Sequence, residues 1–544
     1  MEDIKNTAIE NQTEGNQESF DILDMNNYRV EKLPKMHKSG FEKWMSMVGG
    51  PLALLVFIYI YWFANIPFLD HLDTHILGKE SSKRLEETGL LGFIRINYAM
   101  LAIFAASIIL WMTEAIPNYL TSLILILGIV LTNVTSEKTA YAQLGHPVMW
   151  LNILSFVLAS MLVKTRVAKR FALWFVIRFG KNATMIIFSF IVINIVLSIF
   201  ISATTAKATI LLPIFMVVAA IYGATGGKNR NNFGRNLVLQ NLFQINMGAT
   251  GFITGSGANL LAGSLIAGAM GWKVFSYQEW FIGAFPLSIT LIVIGWFVGS
   301  KLIFPLKKGE DKPQIEGGMQ RLKDELHKMG KMTVQEYKAI AIFLVVLALW
   351  ATDKQHGISQ TAVAFFGAVV ALMPGIGIVK WNDVDIPWHL LLFSAGAYTL
   401  GAGLEVTDLP ATMIDTLFNH LGITSATPYA YVYIILTGAM LFSALLFESK
   451  TMRTLIFVPI AIGVANKFGY PIMSLAFPVA LLIEHVYVLP FNSKPAALLY
   501  TTNHYSWSDT FKFGIVMMII SWGVIILWGE TVLKWLGYTN GLFL

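Results

Sequence analysis
The chain has 544 residues, 55% of them hydrophobic and only 13% charged, the balance of a polytopic membrane protein and not of a soluble catalytic domain. Its net charge of +6 is carried by Lys and Arg scattered through short loops, which reads as membrane topology and excludes the single basic stripe of a nucleic-acid binder. Without any cysteine, the chain has no disulfide, thiolate metal site or cysteine nucleophile.

Residues 1–40 are polar and lack the apolar core of a signal peptide; they are expected to be a disordered cytoplasmic tail leading to an interfacial segment at 41–47. Arg29, Lys32, Lys35, Lys38 and Lys43 put this end inside. A first span is expected at 49–68. Spans at 96–113 and 118–132 follow, joined by Trp-Met-Thr-Glu-Ala-Ile-Pro at 111–117, where Pro117 starts a new helix. Residues 149–163 are too short and too interrupted for a full crossing and predict a re-entrant hairpin. Lys164, Arg166, Lys169 and Arg170 then mark a cytoplasmic edge.

Residues 171–201 read as one span that ends at Ser202-Ala-Thr-Thr205, after which 207–224 resumes as helix. Small hydroxyl residues inside an apolar run suit an unwound, cavity-lining break. Residues 229–246, polar on one face, are expected at the membrane interface. A second break falls at 250–261, where Gly255-Ser-Gly-Ala-Asn-Leu-Leu interrupts the pattern. Residues 281–304 span again, and 307–338, charged with both signs, is a linker.

The second part repeats the first. Trp350-Ala-Thr-Asp353 echoes Trp111-Met-Thr-Glu114, Trp388 before 390–403 echoes Trp150, Ser449-Lys-Thr-Met-Arg453 echoes Ala203-Thr-Thr-Ala-Lys207, and Asn492-Ser-Lys-Pro-Ala-Ala-Leu-Leu echoes the Gly255 loop. These landmarks recur at separations of 237 to 246 residues, so the expected organisation is a tail at 1–47, a first repeat with its preceding span at 48–306, the linker, and a second repeat at 339–544. The fold class expected is an all-α polytopic membrane protein of about 11 transmembrane helices, with two inverted repeats, re-entrant hairpins and broken helices.

Charges inside the apolar runs carry the functional reading. Glu448, Lys450 and Arg453 crowd into one such run and Lys207 into its repeat partner; each costs a few kcal/mol unless it is paired or faces a wet cavity. Half-helices beginning near 204 and 451 offer free N–H groups to an anion, and Thr204, Thr205, Ser449, Thr451 and Ser493 add hydroxyls. Glu448 is the expected partner of these cations. Arg453 and Lys207 also admit a purely structural role, snorkelling or paired. His146, His389 and His485 are isolated from one another, which disfavours a metal site, and Glu484-His485 reads more readily as a satisfied polar contact than as a proton relay. No triad, HExxH or phosphate loop occurs, so neither an enzyme nor a cofactor is expected.

The 111–117 run resembles the signature of the divalent anion/sodium symporter family, also called the INDY or solute-carrier-13 family. Pro213 and Pro459 sit where that family's paired Ser-Asn-Thr motifs lead into Pro, and the loops at 255–259 and 492–496 are similar to its Thr-Pro-Pro-Asn loops. The resemblance covers residue 48 to the end. Aligned this way, the motifs become Ala203-Thr204-Thr205 and Ser449-Lys450-Thr451, the loop prolines become Gly257-Ala258 and Lys494-Pro495, and the Asn is kept as Asn259 in the first loop but is Ala496 in the second. The resemblance implies that these residues, with Ser493, Lys207 and Arg453, bind substrate. It also implies a plasma-membrane homodimer with a scaffold and an elevator-like transport domain, and a C4–C5 dicarboxylate cargo such as succinate, malate, fumarate or 2-oxoglutarate.

In sodium-coupled relatives the motif Asn residues help to hold Na⁺ beside the substrate carboxylates; here Lys450 and Lys494 stand at or beside two such positions. A fixed ammonium supplies permanently the charge that a mobile cation would bring. The empty carrier then holds uncompensated buried cations, which are costly to move, whereas the loaded one is near neutral. The expectation is sodium-independent exchange of one dianion for another. A Na⁺- or H⁺-coupled symporter of the same cargo and an anion channel are the alternatives.

Overall fold
In lipid the backbone has no water to bond, so apolar runs close their hydrogen bonds internally as helices. The computed structural model describes residues 21–29, 40–70, 77–227, 230–272, 275–407, 409–410, 412–413, 416, 427–447 and 449–543, and among these the regular structure is helical, without strands. Among the described residues, eight stretches are long and apolar enough to cross a membrane, and five apolar helices of 10–17 residues accompany them. Most of the expected tail, with Lys32, Lys35 and Lys38, and the expected ion-pair partner Glu448 lie outside the described residues.

The first part runs α1 (Gly40–Ile58), α2 (Lys79–Thr113), α3 (Asn118–Leu131), α4 (Pro147–Thr165), α5 (Val167–Phe179), α6 (Ala183–Phe200), α7 (Thr204–Ile221), α8 (Asn232–Thr250), α9 (Gly257–Ala269) and α10 (Tyr277–Phe297). After the linker helix α11 (Gly318–Lys328) come α12 (Val334–Ala351), α13 (Gln360–Leu372), α14 (Trp388–Thr407), α15 (Tyr429–Phe442), α16 (Lys450–Phe468), α17 (Ile472–Ala480), α18 (Lys494–Tyr500) and α19 (Trp507–Glu530). Packing crosses between the parts: α3 lies on α14 while α13 lies on α4, and α9 lies on α16 while α7 lies on α18. Side chains of α2, α3 and α14 form a smaller apolar core, and α4 to α10 with most of the later helices form a larger one.

Four expectations are corrected. The segment 41–47 is the start of α1 and not a separate interfacial piece, because nothing between Gly40 and Met47 breaks a helix. Residues 149–163 belong to α4, a continuous helix whose interrupting Asn152 and Ser155 are buried in protein and so need no turn; likewise 390–403 lies within continuous α14. The run 171–201 is two helices, because Gly180 ends α5 and the Asn182 side chain caps α6 by accepting from Met185 N–H.

The fourth correction concerns 229–246. These residues fall largely in α8, which is buried along almost its whole length instead of lying at an interface. Several of its amides are paired within the protein: Asn194 Nδ2 donates to Asn241 Oδ1 at 2.7 Å and to Gln244 Oε1 at 3.0 Å, and Asn236 Nδ2 donates to the Phe304 carbonyl at 2.7 Å. Buried amides persist when they are paired in this way. The linker is also anchored, since Arg170 of α5 pairs with Glu336 of α12 at 2.5 Å and donates to the Met329 and Gly330 carbonyls.

Candidate functional site
Two helix pairs break in mid-run. Between α6 and α7 the chain is extended at Ile201 and Ala203, and between α15 and α16 it passes through a short turn at Ser443–Leu445. The second pair of breaks separates α8 from α9 and α17 from α18. The first residues of α7, α9, α16 and α18 all line one cavity of about 460 Å³.

Helix N-termini present unpaired N–H groups and partial positive charge, so four of them around one space make it a receptor for an anion. Ser256, Ser449 and Ser493 cap α9, α16 and α18 by accepting from the N–H of Asn259, Met452 and Ala496. α7 starts at Ala203 with no side-chain cap, which leaves its first N–H groups for water or a ligand.

Close backbone approach holds the second break. A Cβ on Gly255 would lie 2.2 Å from the Ala249 carbonyl oxygen, well inside contact distance. Gly255→Ala is therefore expected to displace the 250–256 turn and cut transport at least tenfold, read as uptake per reconstituted protein; normal uptake would show that the turn tolerates a side chain.

Lys450 ties the four breaks together. Its Nζ donates to Thr204 Oγ1 at 3.3 Å and to Glu484 Oε2 at 2.5 Å, and Ser256 Oγ donates to Glu484 Oε1 at 2.6 Å. The Glu484 side chain is 1% exposed and that of Lys450 15%. This carboxylate is the partner that Lys450 has among the described residues, outside which Glu448 lies. Its signal in the sequence is a lone acid in a long apolar stretch.

Of the expected residues, Ala203, Thr204, Thr205, Gly257, Ala258, Ser449, Lys450, Thr451, Ser493, Lys494 and Pro495 line the cavity. Lys207, Asn259 and Arg453 lie behind that lining. Lys207, fully buried, donates to Ser198 Oγ at 2.8 Å and to the Ile245 carbonyl at 3.3 Å. Arg453, also fully buried, donates to Ser443 Oγ at 2.9 Å and to the carbonyls of Met440 at 2.5 Å, Ile483 at 3.1 Å and Leu482 at 3.4 Å. Asn259 Nδ2 donates to the carbonyls of Ala249 and Phe252, joining α8 to the start of α9.

The opposite bank comes from the ends of α2 and α3 and the first turns of α14, with Trp111, Glu114, Tyr119, His389, Phe393 and Ser394. In the sequence Trp111 and Glu114 belong to the run that joins two spans and His389 stands apart from the other histidines; helix packing carries all three to the cavity. The polar contacts described above for Lys450, Ser256, Ser449 and Ser493 stay among the broken helix ends.

The family model of the sodium:sulfate symporter transmembrane region matches residues 92–539. The chain is 26% identical over 461 residues to a membrane protein of Cupriavidus necator, an overlap of 81% of this chain and 88% of that one. It is 24% identical over 438 residues to a Staphylococcus saprophyticus protein named sodium-dependent dicarboxylate transporter SdcS, with 77% and 82% covered. The protein of the same name from Staphylococcus aureus matches to the same extent.

Proposed function
The chain belongs to the sodium:sulfate symporter transmembrane family, the divalent anion/sodium symporters, and from that premise we propose that it exchanges C4–C5 dicarboxylates across the plasma membrane without sodium. It is a multi-pass membrane transporter and not an enzyme. The name of its staphylococcal relatives supports a dicarboxylate as cargo. The observation that carries the exchange reading is the Lys450 ammonium in the cavity wall, bridging Thr204 and Glu484.

Among the described residues at the breaks, the buried Lys207 and Arg453 and the largely covered Lys450 stand against one buried carboxylate, Glu484. Carrying that excess through a low-dielectric barrier is costly, and a bound dianion cancels it. Loaded carriers cross and empty ones stay, which is obligatory exchange. The reciprocal packing of α3 on α14 and α13 on α4 supports inverted repeats. The inward-turned polar contacts of the broken ends support their movement as one body past the α2, α3 and α14 bank, in an elevator within a homodimer.

The sodium dependence in the relatives' name favours a second reading, Na⁺-coupled symport. Counterflow separates the two. Proteoliposomes preloaded with succinate are expected to take up labelled succinate at least tenfold faster than empty ones, equally with and without Na⁺. Uptake into empty vesicles driven by a Na⁺ gradient would overturn the exchange reading.

A further inference from the structure
Glu484 does not line the cavity, yet it bonds two of the helix starts that do. Its two oxygens accept from Ser256 at the start of α9 and from Lys450 at the start of α16, and it is the carboxylate within electrostatic reach of the buried Lys207 and Arg453. His485 beside it is fully buried with both ring nitrogens unbonded; an imidazolium so placed would be an unpaired charge, so it counts as neutral. Lys494, on the cavity lining, is exposed. Among the described groups at the breaks that are buried or largely covered, Lys207, Lys450 and Arg453 against Glu484 leave two positive charges.

We propose that Glu484 is a positioning residue that sets the valence of the transported anion: by offsetting the charge of one of the three cations at the breaks, it makes the site complementary to a dianion. This rests on reading the cavity as an organic-anion site. Because the electrostatic cost of moving a charge through the barrier depends on the net charge of the loaded cluster, removing the Glu484 charge moves the optimum by one unit. A tricarboxylate then becomes the neutralising cargo.

The test uses two probes that share a backbone, succinate and tricarballylate, in proteoliposomes of the full chain, with Na⁺ present and absent. Wild type is expected to prefer succinate. Glu484→Gln, nearly isosteric and still able to bond Ser256, is expected to raise the tricarballylate-to-succinate rate ratio at least tenfold. The double variant Lys450→Met with Glu484→Gln removes both members of the pair, restores two positive charges, and is expected to return the ratio to within threefold of wild type.

A Glu484→Gln protein that keeps the wild-type ratio, or a double variant that stays shifted, overturns the assignment. If the single variant does not fold, the double variant alone decides, since a ratio far from wild type contradicts charge counting. A sodium requirement in wild type would sink the exchange reading and leave the ratio measurable, so the two fail separately.

Discussion
Lys450→Asn is expected to lower sodium-free succinate exchange about a hundredfold. The Nζ of Lys450 bonds Glu484 at 2.5 Å, and Glu484 is 1% exposed; deleting one member of a buried pair costs about 3–5 kcal/mol, because the remaining charge stays desolvated. About 3 kcal/mol of that, appearing in the loaded crossing step, is roughly two decades in rate. The substitution also puts Asn where the family motif has it. Counterflow in Na⁺-free proteoliposomes is the measurement, and exchange within threefold of wild type would mean that the ammonium plays no part in carrying the anion.

Arg453→Met is expected to unfold the transporter before it alters recognition. The guanidinium holds Ser443 Oγ and the carbonyls of Met440, Ile483 and Leu482, groups at and just beyond the C-terminal ends of α15 and α17. A cation there opposes the negative end of each helix dipole and adds a donor to carbonyls near those ends. Losing the guanidinium breaks four buried bonds at once, including one to the Ile483 carbonyl, at a cost of about 3–5 kcal/mol. Thermal unfolding in detergent should shift sharply downward, while Arg453→Lys, which keeps the charge but loses the fork, should fall between the two. An Arg453→Met protein as stable as wild type would refute this locking role.

The breaks were legible because hydroxyls, glycines and charges are conspicuous in apolar runs, and their recurrence in the second part pointed to the same places. Eleven residues expected at the site do line one cavity. Depth was harder to read. Lys207 and Arg453 each sit within the first turn and a half of a helix whose first residues face the cavity, but their side chains run back into the protein, where Ser198 and Ser443 wait; spacing alone does not give that direction. α8 was misread because a stripe of Asn and Gln looks the same whether water or another amide answers it. Glu484 was seen in sequence but assigned no partner, since the residues it binds are 34 and 228 positions away.

The two banks of the cavity are unlike. The starts of α7, α9, α16 and α18 bring hydroxyls and two lysines to one, while Trp111, Tyr119, Leu390, Leu391 and Phe393 surround Glu114, His389 and Ser394 on the other. If the charged helix starts set valence, as proposed above, the aromatic surface is left to judge size. Under the proposed exchange, reshaping the aromatic surface would fit a longer or shorter acid while the charged helix starts stay as they are, a division of labour that would let such a protein change diet.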